Sequence, residues 1–228
     1  MKRSISIIVP VLNEASIIQQ TVDRIYGLRH EGELEVIVVD GSSHGETAMA
    51  ISNRNVKKMS SGRGRSRQMN KGASAATGGI LLFLHGDTLL PDDALQSICS
   101  VIEREKVVGG AFDLGISSDR PVFRLIEKTA SLRSRITRAP YGDQAIFMRK
   151  DFFDEIGGFK DIPLMEDVEL MRRVRKRGGK IRIVRSRVKT SPRRWEEEGV
   201  VRCTLRNWIL ITLYSLGLPP EKLTRFYR

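Results

Sequence analysis

Three carboxylates each follow a short apolar, β-branched run of the kind that forms a buried strand. The runs and their acids are residues 5–9 with Glu14, residues 34–39 with Asp40, and residues 80–84 with Asp87. Strands of one parallel sheet end at a common edge, where such proteins bind ligands. Acids gathered there repel one another unless a cation or sugar hydroxyls lie between them. Glu14 and Asp40, taken singly, also suit helix caps, but the three acids together favour a shared site.

A further acidic pair, Glu166 and Asp167, opens a run with helical spacing over residues 166–177. A carboxylate at such a position is able to act as the general base that takes a proton from a hydroxyl. Acids in the first turn of a helix also complement the helix dipole, and this structural role is the more common one on sequence grounds alone. Both interpretations of the pair stay open at this point.

The elements that position these groups alternate along the first half of the chain. Short apolar runs predict strands, and periodicity near 3.6 residues predicts helices between them. The predicted strands are residues 5–9, 34–39, 56–59 and 80–84, and the predicted helices are residues 18–26, 47–52, 66–76 and 91–105. This alternation indicates an α/β fold with a mostly parallel, Rossmann-like sheet flanked by helices.

The second half is less regular and ends in a helical extension. Residues 107–116 alternate in part, as a strand does, and strands are also predicted over residues 145–148 and 181–188. Helices are predicted over residues 123–136, 151–156 and 166–177, with residues 200–216 as the final helix. Because no repeat or linker interrupts the chain, we predict a single domain over residues 1–228.

The chain carries a formal net charge of +12, and twelve Lys and Arg residues with no acid fall between Leu170 and Trp195. This run predicts an anionic partner such as nucleotide phosphates, a polyanion or an acidic membrane, and a solvated cationic face fits it equally well. Gly62 and Gly64 lack the further glycine of a dinucleotide-binding loop, and the sequence has no Gly-Lys-Ser/Thr. Two isolated cysteines and the lack of a signal core favour a cytoplasmic protein.

Five segments occur in an order and spacing typical of a known family. They are residues 6–14 (SIIVPVLNE), 38–43 (VVDGSS), 82–87 (LFLHGD), 157–159 (GGF) and 165–170 (MEDVEL). Through them the chain resembles the family 2 glycosyltransferases with the GT-A fold, from residue 4 to about residue 175. Residues 191–196 (SPRRWE) and the chain length further resemble a small bacterial subgroup associated with arsenosugar biosynthesis.

The resemblance implies transfer of a sugar from a nucleotide-diphosphate sugar to an acceptor hydroxyl, with a divalent Mn²⁺ or Mg²⁺ ion. The implied donor contacts are Pro10, Asn13, Glu14, Asp40, Ser42, Arg65 and Lys71. Asp87 is expected to hold the metal together with His85, although His85 departs from the family's aspartate and imidazole suits Mn²⁺ better than Mg²⁺. A contact of His85 with the ribose, or no role for it, fits equally well. Asp167 is expected to be the catalytic base with Glu166 beside it. One base without a protein nucleophile implies inversion at the anomeric carbon.

The same resemblance divides the domain into a nucleotide-binding half (1–105), an acceptor half (106–195) and a C-terminal helical tail (196–228). Residues 141–144 (YGDQ) resemble the family's acceptor-side loop, and a plain turn fits them nearly as well. The expected acceptor is a small molecule or a lipid. The apolar helix 200–216 is expected to pack on the domain; Arg202 and Arg206 leave open a peripheral contact with the inner face of a membrane.

Two other functions compete with this interpretation. A sugar-phosphate nucleotidyltransferase has a similar sheet and metal requirement, but it normally carries a glycine-rich loop with Lys or Arg where this chain has residues 10–14 (PVLNE). A non-enzymatic, basic nucleic-acid-binding domain would explain the twelve-charge run, although that run contains few aromatic residues and no recognised binding motif. We therefore expect a nucleotide-sugar and its acceptor as partners, and no nucleic acid.

Overall fold

The computed structural model describes residues 4–227, so residues 1–3 and 228 of the predicted domain lie outside the described residues. The strands are β1 (Ile5–Val11), β2 (Leu34–Asp40), β3 (Lys57–Ser60), β4 (Ile80–Phe83), β5 (Thr88–Leu89), β6 (Gly109–Ile116), β7 (Phe147–Arg149) and β8 (Ile181–Thr190). The helices are α1 (Ile18–Tyr26), α2 (Glu46–Met49), α3 (Arg65–Ala75), α4 (Ala94–Arg104), α5 (Pro121–Thr137), α6 (Lys150–Glu155), α7 (Glu166–Lys176), α8 (Arg193–Glu198), α9 (Val200–Ser215) and α10 (Pro220–Tyr227).

These strands form one sheet in the order β3-β2-β1-β4-β7-β6-β8-β5. The first four strands of that order are parallel to one another, and so are β6 and β8. β5 and β7 run antiparallel to their neighbours. The predicted α/β fold with a mostly parallel sheet is confirmed, and the carboxyl ends of β1, β2 and β4 meet at one edge.

Two apolar layers cover the two faces of the sheet. One layer holds Val22 of α1 and the residues of α4, and the other holds Met69 of α3 together with residues of α6 and α7. Successive side chains of a strand point to opposite faces, so Ile7 joins the first layer and Ile8 the second. Every residue of β1 is buried, as expected for a central strand covered by helices on both faces.

Helix α3 approaches β1 closely and holds the ends of two strands. A Cβ added at Gly72 would lie only 2.4 Å from Cγ2 of Ile8, so a glycine is required for this contact. The buried side-chain amide of Gln68 donates hydrogen bonds of 2.8 Å to the carbonyls of Val11 and Val39. These contacts fix the start of α3 against the edge where β1 and β2 end.

The C-terminal region differs from the prediction. The predicted helix 200–216 corresponds to α9, but it is not the final helix, because α10 follows after Pro219. Proline is well tolerated in the first turn of a helix, so the pair of prolines marks a new start and not an end of helical structure. Leu210 and Tyr214 of α9 and Leu223 of α10 pack with Val168 of α7. Among residues 4–227, the helices are all too short or too polar to cross a membrane.

Candidate functional site

A cleft of roughly 530 Å³ opens at the edge where β1 and β4 end. Its walls come from segments that are distant in sequence and that the sheet brings together. Seven residues of the predicted site line it, namely Pro10, Glu14, Arg65, His85, Asp87, Glu166 and Asp167. The acids after β1 and β4 therefore share one cleft with the acidic pair that opens α7.

Glu14 and Asp87 form an acidic wall of this cleft. Burial raises the pKa of the Glu14 carboxyl to about 7, and the nearby charge of Asp87 adds to the effect. The Glu14 carboxylate covers Gly86, where an added Cβ would lie 2.6 Å from Oε2. The hydroxyl of Thr21 donates a 2.6 Å hydrogen bond to the Gly86 carbonyl and holds this loop in place. Two carboxylates that repel each other in a cleft, with a shifted pKa, are common at functional sites.

Arg65, the first residue of α3, brings positive charge into the same cleft. Its Nη1 lies 3.9 Å from Oε1 of Glu166, and about half of its side chain (52%) is exposed. Its positive charge lowers the pKa values of Glu14 and Glu166, which burial raises. It also lowers the pKa of His85, in the same direction as burial does. An exposed guanidinium at this place is available to phosphate oxygens, which it is able to contact in a bidentate way.

The acidic pair is held by backbone groups at the start of α7. Oδ2 of Asp167 accepts a hydrogen bond from the N–H of Gly142 at 2.7 Å, and Oδ1 accepts one from the N–H of Val168 at 2.7 Å. Burial raises the pKa of Glu166 to about 7, with a further contribution from the charge of Asp167. Asp167 is thus fixed in orientation, while Glu166 holds its proton up to near-neutral pH.

The predicted acceptor-side loop also lies at the cleft, where Gly142–Gln144 form a 3₁₀ turn. The guanidinium carbon of Arg133 lies 3.2 Å from the centre of the Tyr141 ring. Burial raises the pKa of Asp143 to about 6, although the charge of Arg133 acts in the opposite direction. Within the described residues, Oδ1 of Asp143 is buried and has no hydrogen-bond partner. This atom is therefore a polar group that a ligand could satisfy.

The sequence predicts that Glu14, Asp40 and Asp87 share one site. In the structure Glu14 and Asp87 line the same cleft, and Asp40 does not. Asp40 is fully buried, and its two oxygens accept hydrogen bonds from the N–H groups of Ser42 at 2.8 Å and Ala48 at 3.0 Å. The Ser42 hydroxyl likewise accepts a hydrogen bond from a backbone N–H of the same turn. In the structure Asp40 and Ser42 close the turn after β2, and neither lines the cleft.

Two further residues of the predicted donor site also lie outside the cleft. Asn13 is exposed and has a φ of 58°, in the left-handed region that asparagine tolerates better than most residues. Lys71 is exposed on α3, six residues after Arg65. Six residues correspond to about 240° around a helix, so these two cations project in different directions.

The C-terminal region supplies a wall of the cleft that the sequence interpretation missed. Arg193, Arg194 and Trp195 of α8, Asn207 of α9 and Tyr227 of α10 all line it. The Arg194 guanidinium donates a hydrogen bond to the Tyr227 hydroxyl and lies 4.2 Å from the centre of that ring. The two arginines belong to the basic run that predicted an anionic partner. Nothing in the sequence indicated Asn207 or Tyr227, because their contacts join distant segments.

The side chains of the cleft could hold a divalent cation only if a bound ligand supplied further oxygen atoms to it. Among residues 4–227, no three His, Cys, Asp or Glu side chains come together as a metal site. Asp87 nevertheless offers carboxylate oxygens to the cleft beside Glu14. Mg²⁺ is usually bound by one or two carboxylates together with substrate phosphates, and not by a cage of protein groups alone. The arrangement therefore fits a cation that binds together with a diphosphate.

A mostly parallel sheet with a charged cleft beyond its carboxyl edge defines an α/β protein of the Rossmann-like class, whose ligands bind at that edge. The family model Glycosyl transferase family 2 matches residues 6–159, and the chain belongs to this family. The match covers the segments around Glu14 and Asp87 and ends before Glu166 and Asp167.

The chain is similar to a PGL/p-HBAD biosynthesis glycosyltransferase of Mycobacterium bovis (strain BCG / Pasteur 1173P2), with 30% identity over 178 residues. A protein of the same description from Mycobacterium tuberculosis (strain ATCC 25177 / H37Ra) has the same identity. Each alignment covers 68% of this chain and 62% of the relative, so the chain spans about three-fifths of the relatives' length. An uncharacterized protein of Mycobacterium tuberculosis (strain CDC 1551 / Oshkosh) is 32% identical over 121 residues, 49% of this chain and 36% of that protein.

Proposed function

We propose that this chain transfers a sugar from a nucleotide-diphosphate sugar to the hydroxyl of an acceptor. The observation that carries the proposal is that Asp87, Arg65 and the Glu166–Asp167 pair line a single cleft. Sugar transfer needs a group that stabilises the departing diphosphate and a base that receives a proton, and both kinds of group are present. Family membership supports a sugar as the transferred group. The nucleotidyltransferase and nucleic-acid alternatives have no comparable support.

In this proposal the nucleoside diphosphate lies between the end of β1 and the start of α3. Pro10 contacts the nucleoside, and the Arg65 guanidinium binds the diphosphate oxygens. Asp87 would hold a divalent cation, with His85 adjacent, and that cation would supply positive charge to the departing diphosphate. The other cleft arginines, Arg193 and Arg194, add to the positive field along the same wall.

Asp167 is the proposed base. Its two oxygens are oriented by the N–H groups of Gly142 and Val168, and it takes the proton of the acceptor hydroxyl as that oxygen attacks the anomeric carbon. The bond from the anomeric carbon to the diphosphate oxygen breaks on the opposite face, so a single displacement inverts the configuration. Glu166 lies beside the base and contacts the acceptor.

Donor binding is tested by thermal shift with UDP-, GDP- and dTDP-linked sugars, each with MnCl₂, with MgCl₂ or with neither. We expect one nucleotide class to raise the melting temperature, with part of the shift dependent on the cation. Asp87→Asn should lose the cation-dependent part, while the exposed control Asp119→Asn should keep it. The proposal fails if none of these donors, under any metal condition, shifts the wild-type protein.

Transfer is tested without knowledge of the acceptor, because water also serves as one and releases the free nucleoside diphosphate. Asp167→Asn should keep the donor-induced shift and reduce this release about 10²- to 10⁴-fold, the usual contribution of a general base. Wild-type turnover by Asp167→Asn would assign the base elsewhere. An NMR spectrum showing that the anomeric configuration is retained would contradict the single displacement. A cytoplasmic location and a peripheral membrane contact stay predictions.

A further inference from the structure

A second cavity, of about 370 Å³, lies between α5 and α9. We call it the α5–α9 cavity. Most of its surface is apolar, and its walls include Leu114, Ile126, Ala130, Trp195, Trp208 and Ile211. Its volume falls within the usual range for small-molecule pockets, which are mostly apolar with a few polar groups. The role proposed for the cleft does not use this cavity.

The α5–α9 cavity adjoins the proposed catalytic cleft. Five residues line both spaces, namely Tyr141, Asp143, Trp195, Asn207 and Ile211. Tyr141 and Asp143 flank Gly142, whose backbone N–H contacts the proposed base Asp167. This shared wall puts one end of the cavity next to the turn that contacts Asp167. The wall at Trp195 is well supported, because its ring packs edge-on against Phe123 at a centroid distance of 5.9 Å.

Two buried polar atoms at this cavity lack partners within residues 4–227. They are Oδ1 of Asp143 and Oγ1 of Thr204. A buried polar atom left without a hydrogen bond costs about 1–3 kcal/mol, so each of these atoms needs a partner, which a water, an ion or a ligand can supply. Asp143 lies at the junction with the cleft, where the hydroxyl end of a ligand would arrive. Thr129, Arg133 and Thr212 also line the cavity, but most of its surface is apolar, which favours an apolar occupant over a second sugar or phosphate.

The same two helices also expose apolar side chains outside the cavity. Leu125, Leu132 and Ile136 of α5 and Val201, Leu205 and Ile209 of α9 are all largely exposed. Exposed apolar surface of this kind often marks a contact with an apolar partner. A lipid surface is therefore the main competing partner for this region. Trp208 belongs to both surfaces, since it is 64% exposed and lines the cavity, so variants of the outer residues that do not line the cavity are needed to separate the two possibilities.

We propose that the α5–α9 cavity binds the apolar part of the acceptor, so that the acceptor is an amphipathic molecule whose hydroxyl reaches Asp167 from this side. The proposal rests on the transferase function and narrows its acceptor to a class. The apolar part displaces water from the cavity, and the hydroxyl end satisfies Asp143. A purely polar acceptor, such as a free sugar, would leave the cavity without an occupant.

The chain itself provides a spectroscopic test, since its two tryptophans, Trp195 and Trp208, both line the cavity. Methyl, hexyl and octyl β-glucosides, kept below their micelle-forming concentrations, serve as probes with one headgroup and a growing apolar chain. Tryptophan emission should change saturably with the hexyl and octyl compounds and not with the methyl compound. Each methylene that enters the cavity should tighten binding about threefold to fourfold.

Two variants narrow the cavity in different ways. Ala130→Leu adds bulk to the wall, and Thr129→Phe adds bulk at an exposed position of the lining that the fold tolerates. Both should weaken octyl glucoside binding about tenfold or more, as expected when two methylenes are kept out. The matched control is Leu132→Ser, which removes an outer apolar side chain of the same helix that is 59% exposed and does not line the cavity. It should bind the probes as the wild type does.

The competing occupant is tested by sedimentation with vesicles of phosphatidylglycerol and phosphatidylcholine. If Leu132→Ser abolishes vesicle binding while Thr129→Phe does not, and the glucosides leave the emission unchanged, the region contacts a membrane and the proposal is wrong. Probe binding that is independent of chain length, or equal in the narrowed variants, also overturns it. If nucleotide-sugars still shift the melting temperature in that case, only the acceptor class is wrong. Probe binding without any donor shift would instead contradict the transferase function.

Discussion

The backbone N–H of Gly142 donates a 2.7 Å hydrogen bond to Oδ2 of Asp167, which ties the turn before β7 to the first turn of α7. A side chain at this position would crowd His85, because a Cβ at Gly142 would lie 2.9 Å from Nε2 of His85, whereas its distance of 3.7 Å from Oδ2 of Asp167 is an ordinary contact. Gly142→Ala should displace the His85 ring or the turn that contacts Asp167, and nucleoside diphosphate release should fall about tenfold to hundredfold. The melting temperature should change little, because the turn lies outside the apolar layers.

The matched control for this variant is Gly62→Ala, since a Cβ there would meet no atom within 4 Å. Its turnover and melting temperature should equal those of the wild type. A Gly142→Ala protein with full turnover would show that the turn does not position the base.

Arg65 and Lys71 allow a paired test on a single helix. Arg65 lines the cleft next to Glu166, whereas Lys71 is exposed and faces elsewhere. Arg65→Ala should weaken nucleotide-sugar binding about tenfold to hundredfold, the effect of losing a charge-assisted hydrogen bond. Lys71→Ala should bind as the wild type does, and both affinities are measurable by calorimetry. Equal losses in the two variants would mean that a diffuse positive field, and not a contact by Arg65, attracts the donor.

The strands and their terminal acids were predictable because they depend on local signals. Short apolar runs identified β1, β2 and β4, and the rule that parallel strands end at one edge brought Glu14 and Asp87 together. The rule gives the location of a residue but not the direction of its side chain. Asp40 has the expected location, yet its carboxylate turns back to the N–H of Ser42, two residues on. Aspartate commonly closes a turn in this way, so the following glycine and serines were a signal for it.

The orientation of side chains on helices and the C-terminal wall of the cleft illustrate two other limits of prediction from the sequence. Helical periodicity alone separates Lys71 from Arg65, because a shift of six residues along α3 turns a side chain to a different face of the helix. The place of Tyr227 depends instead on its contact with Arg194, thirty-three residues earlier. Such a contact leaves no periodic pattern, and only the packing of α9 and α10 on α7 brings the two side chains together.

The raised pKa of Glu166 predicts a specific pH dependence of stability. The unfolded chain releases this proton near 4.5, whereas the folded protein keeps it until about pH 7. The folded state therefore loses stability as the pH rises from about 5 to about 7, and the full cost of the buried charge is present above that range. Glu166→Gln cannot ionise, so its stability relative to wild type should increase across this range, on the order of 2 kcal/mol. Urea unfolding at pH 5 and pH 8 measures the difference.

The control for the pH experiment is Glu46→Gln, a variant of an exposed glutamate in the first turn of α2. Its stability difference from wild type, measured at both pH values, gives the effect of a Glu-to-Gln change at an exposed position and is subtracted. If the remaining difference for Glu166→Gln were the same at both pH values, the Glu166 carboxyl would have an ordinary pKa in the folded protein. Its role near neutral pH would then be that of a permanent anion.

The close approach of α3 to β1 gives a prediction about the support of the cleft. Gly72→Ala should improve helix propensity by about 1 kcal/mol, but the added methyl would lie 2.4 Å from Cγ2 of Ile8. Overpacking a core contact costs about 1–3 kcal/mol, and the backbone of a central strand cannot move away easily. We therefore expect net destabilisation of roughly 1 kcal/mol in urea unfolding.

The same displacement should reach the cleft through Gln68, whose amide bonds to the carbonyls of Val11 and Val39 depend on the present position of α3. Moving the helix outward lengthens these bonds and shifts Arg65 at its first turn. Donor affinity should fall in Gly72→Ala even under conditions where the protein is fully folded, which calorimetry at low temperature would detect. Lower stability with unchanged donor affinity would mean that the start of α3 is held independently of its middle.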